Sequence, residues 1–144
     1  MSLDPQRLAL ERELLAALRS ANEGLQQPQV KIQLHALFLE QAQAQLEPLL
    51  EELREWTAGQ MPRPSKGAVA RLQRLLGLSQ DRQEAGLVSL TEALHDAVVR
   101  ASIGDLQVSA AACLRGAEEL HRLLHQYAVG VSRSPSSDIL AGLR

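Results

Sequence analysis

The stretch LQVSAAACLRGAEELHRLLHQY, residues 106–127, decides the fold class. Within it Leu106, Ala110, Cys113, Ala117, Leu120, Leu124 and Tyr127 follow one another at alternating spacings of four and three. That spacing puts all seven side chains on one face of an α-helix. The face starts small, with Ala, Cys and Ala, and ends large, with Leu, Leu and Tyr. A small start lets a neighbouring backbone approach, and a large end fills a core. The pattern predicts a packed helix in an all-α bundle, and no group on the seam is reactive.

Composition agrees. The chain has 144 residues, enough for a single domain that buries roughly 70% of its unfolded surface. Apolar residues make up 45% and aromatics only 2%, namely Phe38, Trp56 and Tyr127. Leu and Ala must therefore build the core, and both favour helix, whereas the β-branched and aromatic residues that favour strands are scarce. A net charge of −2 and a pI near 6.1 supply no strong attraction to nucleic acid or to an anionic membrane. No apolar run approaches the roughly 20 residues of a membrane span, and no apolar leader is seen at the N-terminus. A cytoplasmic or nuclear setting is the expectation. The one cysteine, Cys113, falls inside the seam and reads as a buried thiol.

Punctuation residues divide the chain into a bundle of five antiparallel helices, or six if Pro48 breaks the second. Asp4 and Pro5 open the first helix, which runs to about Asn22 with Leu8, Leu15 and Leu18 inward and Gly24 as its stop. The second runs from Pro28 to Trp56. Leu34, Phe38, Ala42, Leu46, Leu49, Leu53 and Trp56 form its main stripe, with further apolar residues (Val30, Ile32, Ala36, Leu37, Leu39, Ala44) on adjacent faces. The stripe keeps phase across Pro48, which favours a kink over a break. Residues 59–64 form a loop. Ser65 caps a short helix over 66–76 with Val69, Leu72 and Leu75 or Leu76 inward, and Gly77 stops it. Ser79 caps a fourth helix over 80–101 with Leu87, Leu90, Leu94 and Val98 inward. Gly104 and Asp105 make the next turn and cap, and Gly130 closes the fifth helix after Ala128. The bundle domain is thus residues 1–131. Residues 132–144 are expected as a flexible tail, with a turn or two of helix over 138–143 and a Ser134-Pro135 dipeptide of the kind proline-directed kinases modify.

The residues that could carry chemistry are few. His121 and His125 lie four apart, the spacing of zinc ligands on a helix, but no third ligand can be named and no Glu follows the first His. Arg115 and His121 resemble the Arg-x(4–6)-His pattern of HEPN-type ribonucleases, without the usual polar residue after the Arg. These three residues support the alternative reading of a ribonuclease or a metal-binding helical protein. No phosphate loop, carboxylate pair or nucleophile triad is present, and no cofactor is called for. The acidic group Glu47, Glu51, Glu52 and Glu55 reads as a solvated face, as do Arg115, Glu118, Glu119 and Arg122.

From Pro28-Gln29-Val30-Lys31 onward the order of features resembles one known helical domain. A long helix ends in Leu46-Glu47-Pro48-Leu49-Leu50-Glu51-Glu52-Leu53-Arg54-Glu55, and a turn follows at Gln60-Met61-Pro62. Asp81-Arg82-Gln83-Glu84-Ala85-Gly86-Leu87, then Val108-Ser109 and Leu114-Arg115-Gly116, complete the series. This order is similar to the C-terminal helical domain shared by the steroid receptor RNA activator protein and the COPII outer-coat scaffold subunit. The resemblance implies a five-helix bundle that works through protein contacts, and it carries no catalytic residue across. The expected function is a non-catalytic adaptor or scaffold module that binds a protein partner or a second copy of itself as a homodimer. Its expected contact surface is Phe38, Leu39, Trp56 and Met61, because a helix apolar around most of its girth is either central or covered by a partner.

Overall fold

The computed structural model describes residues 5–23 and 28–144, and among them it holds six helices and no strand. They are α1 (Pro5–Glu23), α2 (Pro28–Thr57), α3 (Lys66–Asp81), α4 (Ala85–Ser102), α5 (Ala110–Ala128) and α6 (Ser137–Leu143). The fold is all-α, as expected. The expected cap at Asp4, the stop at Gly24 and the side chain of Leu8 lie outside what is described. The chain divides into two compact units, Met1–Leu37 and Phe38–Arg144, with the division inside α2.

The larger unit has a core of leucine and alanine. Phe38, Ala42, Leu46, Leu49 and Leu53 of α2 are buried in it together with Leu72 and Leu75 of α3 and Leu87, Leu90, Leu94 and Val98 of α4. Cys113, Ala117, Leu120 and Leu124 of α5 complete it. Within this unit α3 packs on α4, α4 on α5, and α6 on both α4 and α5. The α5 seam is correct over most of its length, but Leu106 is 96% exposed and lies outside the helix. The reason is local. Asp105 spends its carboxylate on a tight turn, accepting from the Gln107 amide at 3.0 Å, and Ser109 Oγ caps α5 instead, accepting from the Ala112 amide at 3.1 Å.

The second helix is continuous through Pro48. Pro48 deprives the Ala44 carbonyl of its intrahelical donor, and Ala44 is exposed, so water can take that place. Thr57 Oγ1 donates to the Leu53 carbonyl at 2.7 Å near the end of α2. Ser65 caps α3 as expected, its Oγ accepting from the Ala68 amide at 3.2 Å. Glu52 anchors the start of α3, accepting from the Ser65 amide at 3.1 Å and from Ser65 Oγ at 2.5 Å, so this one member of the acidic face is a structural ligand of the loop.

Gly77 does not stop α3. The helix runs on to Asp81, and Ser79, expected as the next cap, is buried inside it and donates to the Leu75 carbonyl at 2.9 Å. The stop is at Gln83, in the left-handed region with φ of 55°. Its amide donates to the Gln80 carbonyl at 3.0 Å and the next amide, of Glu84, to the Ser79 carbonyl at 3.4 Å. This is the Schellman closure, and α2, α4 and α5 close in the same way at Gly59, Gly104 and Gly130. Of these four helices α3 alone closes on a residue with a Cβ, which is disfavoured there by about 1 kcal/mol or more.

Residues 132–144, expected as a flexible tail, are docked. Leu143 is buried, and Ile139 and Leu140 pack on the same core. The Leu143 carbonyl accepts from Arg100 Nη2 at 2.7 Å. Two glycines make room. A Cβ on Gly116 of α5 would meet Leu143 Cδ1 at 3.0 Å and Leu94 Cδ1 at 3.4 Å. A Cβ on Gly86 of α4 would collide with the Arg133 carbonyl oxygen. Glu119 is buried, contrary to the expected solvated face, with one carboxylate oxygen paired to Arg122 and the other accepting from the Ser136 amide at 3.2 Å. That amide belongs to the N-cap of α6. A Gln83→Gly substitution should remove the left-handed strain and raise stability by about 0.5–1 kcal/mol in urea unfolding.

Candidate interaction surface

The four residues expected to form a contact surface differ in exposure. Phe38 is only 4% exposed. Its ring meets Tyr127 edge to face, with centroids 5.5 Å apart and an interplanar angle of 86°. Arg82 closes this group, with its Cζ 5.9 Å from each ring centroid and its Nε donating to Tyr127 Oη at 3.0 Å. Two of the three aromatics thus form a core corner stiffened by one cation. Leu39 and Trp56 are half-buried against the same core, and Met61 is half-buried. Trp56 also lines an open depression with Pro62, Arg63, Leu106 and Val108 at the end of α2.

The exposed apolar surface lies elsewhere. Seven of the eleven exposed large hydrophobic residues in the described chain fall in the N-terminal unit: Leu10, Leu14, Leu15, Leu18, Ile32, Leu34 and Leu37. This corrects the expectation that Leu15 and Leu18 face inward, since they are 56% and 38% exposed. Leu10, Leu14, Leu15 and Leu18 cover a sector of about 140° of α1 at ~100° per residue, with Glu11 on the same side. The periodicity that predicted an inward face is present in the helix, and the leucines that carry it are exposed.

The residues of the enzymatic alternative are on α5. Arg115 and His125 are exposed and His121 is half-buried. The two histidines meet at their Nε2 atoms, 3.2 Å apart, the distance of a hydrogen bond between a protonated and an unprotonated ring nitrogen. Among the described residues there is no group of three or more His, Cys, Asp or Glu able to hold a metal ion. His121 shares a depression with Glu47, Leu50, Arg54 and Glu118, which offers opposite charges to a ligand.

Cys113 is fully buried among leucines and alanines. Burial pushes its thiol up to about 11 from 9.0, while the Arg100 guanidinium pulls in the opposite direction. A group held in its neutral form this way is a core residue and a poor nucleophile. No described helix is long and apolar enough to cross a membrane. Comparison with family models, with curated proteins and with solved structures returns no match.

Two outcomes are expected for Cys113. At pH 8 a small thiol reagent should modify the native protein at least about tenfold more slowly than the urea-unfolded chain. The unfolded thiol ionises near 9.0 and the folded one near 11, so the unfolded state binds fewer protons between these values. Stability should therefore fall as pH rises through that window, and a Cys113→Ala variant should lose this component of the pH dependence.

Proposed function

We propose that this chain is a non-catalytic helical interaction module that works as an adaptor or scaffold, and that its contact face is the N-terminal unit. The observation that carries the reading is the concentration of exposed leucine and isoleucine in residues 10–37, above all the leucine sector of α1. Such a surface is kept out of water when a protein partner or a second copy covers it, and contiguous apolar patches mark interaction sites. The larger unit buries its leucines and encloses its one thiol. The resemblance to the helical domain of the steroid receptor RNA activator protein and the COPII outer-coat scaffold subunit points to the same kind of work, since that domain implies contact without catalysis.

The face moves relative to the expectation from sequence. Phe38 and Trp56 are structural, so substitutions there should unfold the bundle before they report on binding. A photo-crosslinking residue at Leu14, in cells, tests the reading against the same residue at Glu47, an exposed site in the larger unit. Position 14 should give discrete protein adducts that disappear on Leu18→Glu, and an adduct of twice the chain mass would identify the homodimer. Equal labelling from both positions, or none from position 14, would contradict the assignment.

A further inference from the structure

We infer that Ser134 is a phosphorylation site whose modification releases the C-terminal segment from the bundle. Residues 131–136 have no regular secondary structure, and Ser132, Ser134, Ser136 and Ser137 are all exposed. Only Ser134 is followed by proline, and a residue before proline is confined to extended conformations. Its hydroxyl is therefore presented on an open, extended strip, and no helix has to unwind for a proline-directed kinase to reach it.

The surroundings of this strip are acidic on both sides. Two residues before Ser134, Ser132 Oγ donates to Glu84 Oε2 at 3.0 Å. Two residues after it, the Ser136 amide donates to Glu119 Oε2 at 3.2 Å. The unmodified strip is thus held by hydrogen bonds given to two carboxylates. Arg133, next to Ser134 in sequence, is exposed, and Arg122 is paired with Glu119. Close packing removes slack, because the Arg133 carbonyl is seated directly over Gly86 and Pro135 Cδ lies 3.6 Å from where a Gly86 Cβ would be.

A proline-directed serine/threonine kinase transfers the γ-phosphoryl group of ATP to Ser134 Oγ. The bond from phosphorus to the β,γ-bridging oxygen breaks, ADP leaves with that electron pair, the Oγ–P bond forms, and the hydroxyl proton passes to the kinase's base. The product carries about −1.5 to −2 charge. With Glu84 held two residues before it and Glu119 two residues after it, the phosphate repels both anchors of the strip. Undocking follows, and it uncovers Gly116 and Ala112, the α5 residues against which Leu143 and Gly142 of α6 now lie.

The test treats the purified full chain with such a kinase and Mg-ATP, maps the phosphate by mass spectrometry and follows amide hydrogen exchange. The expected result is one phosphate on Ser134, absent from Ser134→Ala, with exchange of residues 138–143 at least about tenfold faster and α2 to α5 unchanged. A chain carrying phosphoserine installed at position 134 during translation should show the same acceleration without the kinase. No phosphate on Ser134 overturns the site. Unchanged or slower exchange in either phosphorylated sample overturns the release, and slower exchange would show that Arg122 or Arg133 grips the phosphate.

Discussion

The missing side chain at Gly116 is the constraint on which the C-terminal half of this fold depends. At that point α5 presents bare backbone, and Leu94 from α4 and Leu143 from α6 close on it from two directions. Small residues line the same part of α5, with Ala112, Cys113 and Ala117 all buried. A chain with almost no aromatics cannot fill wide gaps between helices, so it brings the helices close and packs leucine into the narrow spaces that result. Full burial of one leucine such as Leu143 contributes about 1.5–3 kcal/mol. Arg100 donates to the Leu143 carbonyl at one end of the segment and Glu119 accepts from the Ser136 amide at the other, so that a seven-residue helix too short to persist alone is held in place.

This arrangement divides labour within the chain. In the larger unit alanine and leucine propensity, most of the seam spacing and the Schellman closures at glycine agree with the packing, with Gln83 and Leu106 as exceptions. Among the described residues the N-terminal unit departs from that consistency, since its leucines follow helical spacing and yet are exposed.

Much of this was legible in the residues. The stripe of α2 from Phe38 to Leu53, the inward line of α4 and the seam of α5 from Cys113 onward follow directly from the 3.6-residue period. What spacing cannot reveal is which apolar face finds a cover, and α1 shows this plainly: Leu15 and Leu18 have the same periodicity as buried residues. Helix ends failed where two signals competed. Gly77 and Ser79 imitate a stop and a cap, yet the burial of Leu75 and Ser79 carries the helix past both, and the turn falls at Gln83, a residue with no turn preference to announce it. The docked C-terminus was illegible for a different reason. Its polar Ser-rich approach reads as tail, while its anchors are two glycines, a buried glutamate and a terminal leucine distant in sequence. Gly116 and Gly86 mark close approach, but a glycine does not name what approaches it.

The most direct test of this account is the stability of a Leu143→Ala variant in urea unfolding at neutral pH. If residues 132–144 are an integral part of the bundle seated on Gly116, the variant loses about 2 kcal/mol or more, with α2 to α5 still forming one cooperative transition. A loss below about 0.5 kcal/mol, the range of substitutions at exposed positions, would mean that the segment is not held there and would contradict the central claim.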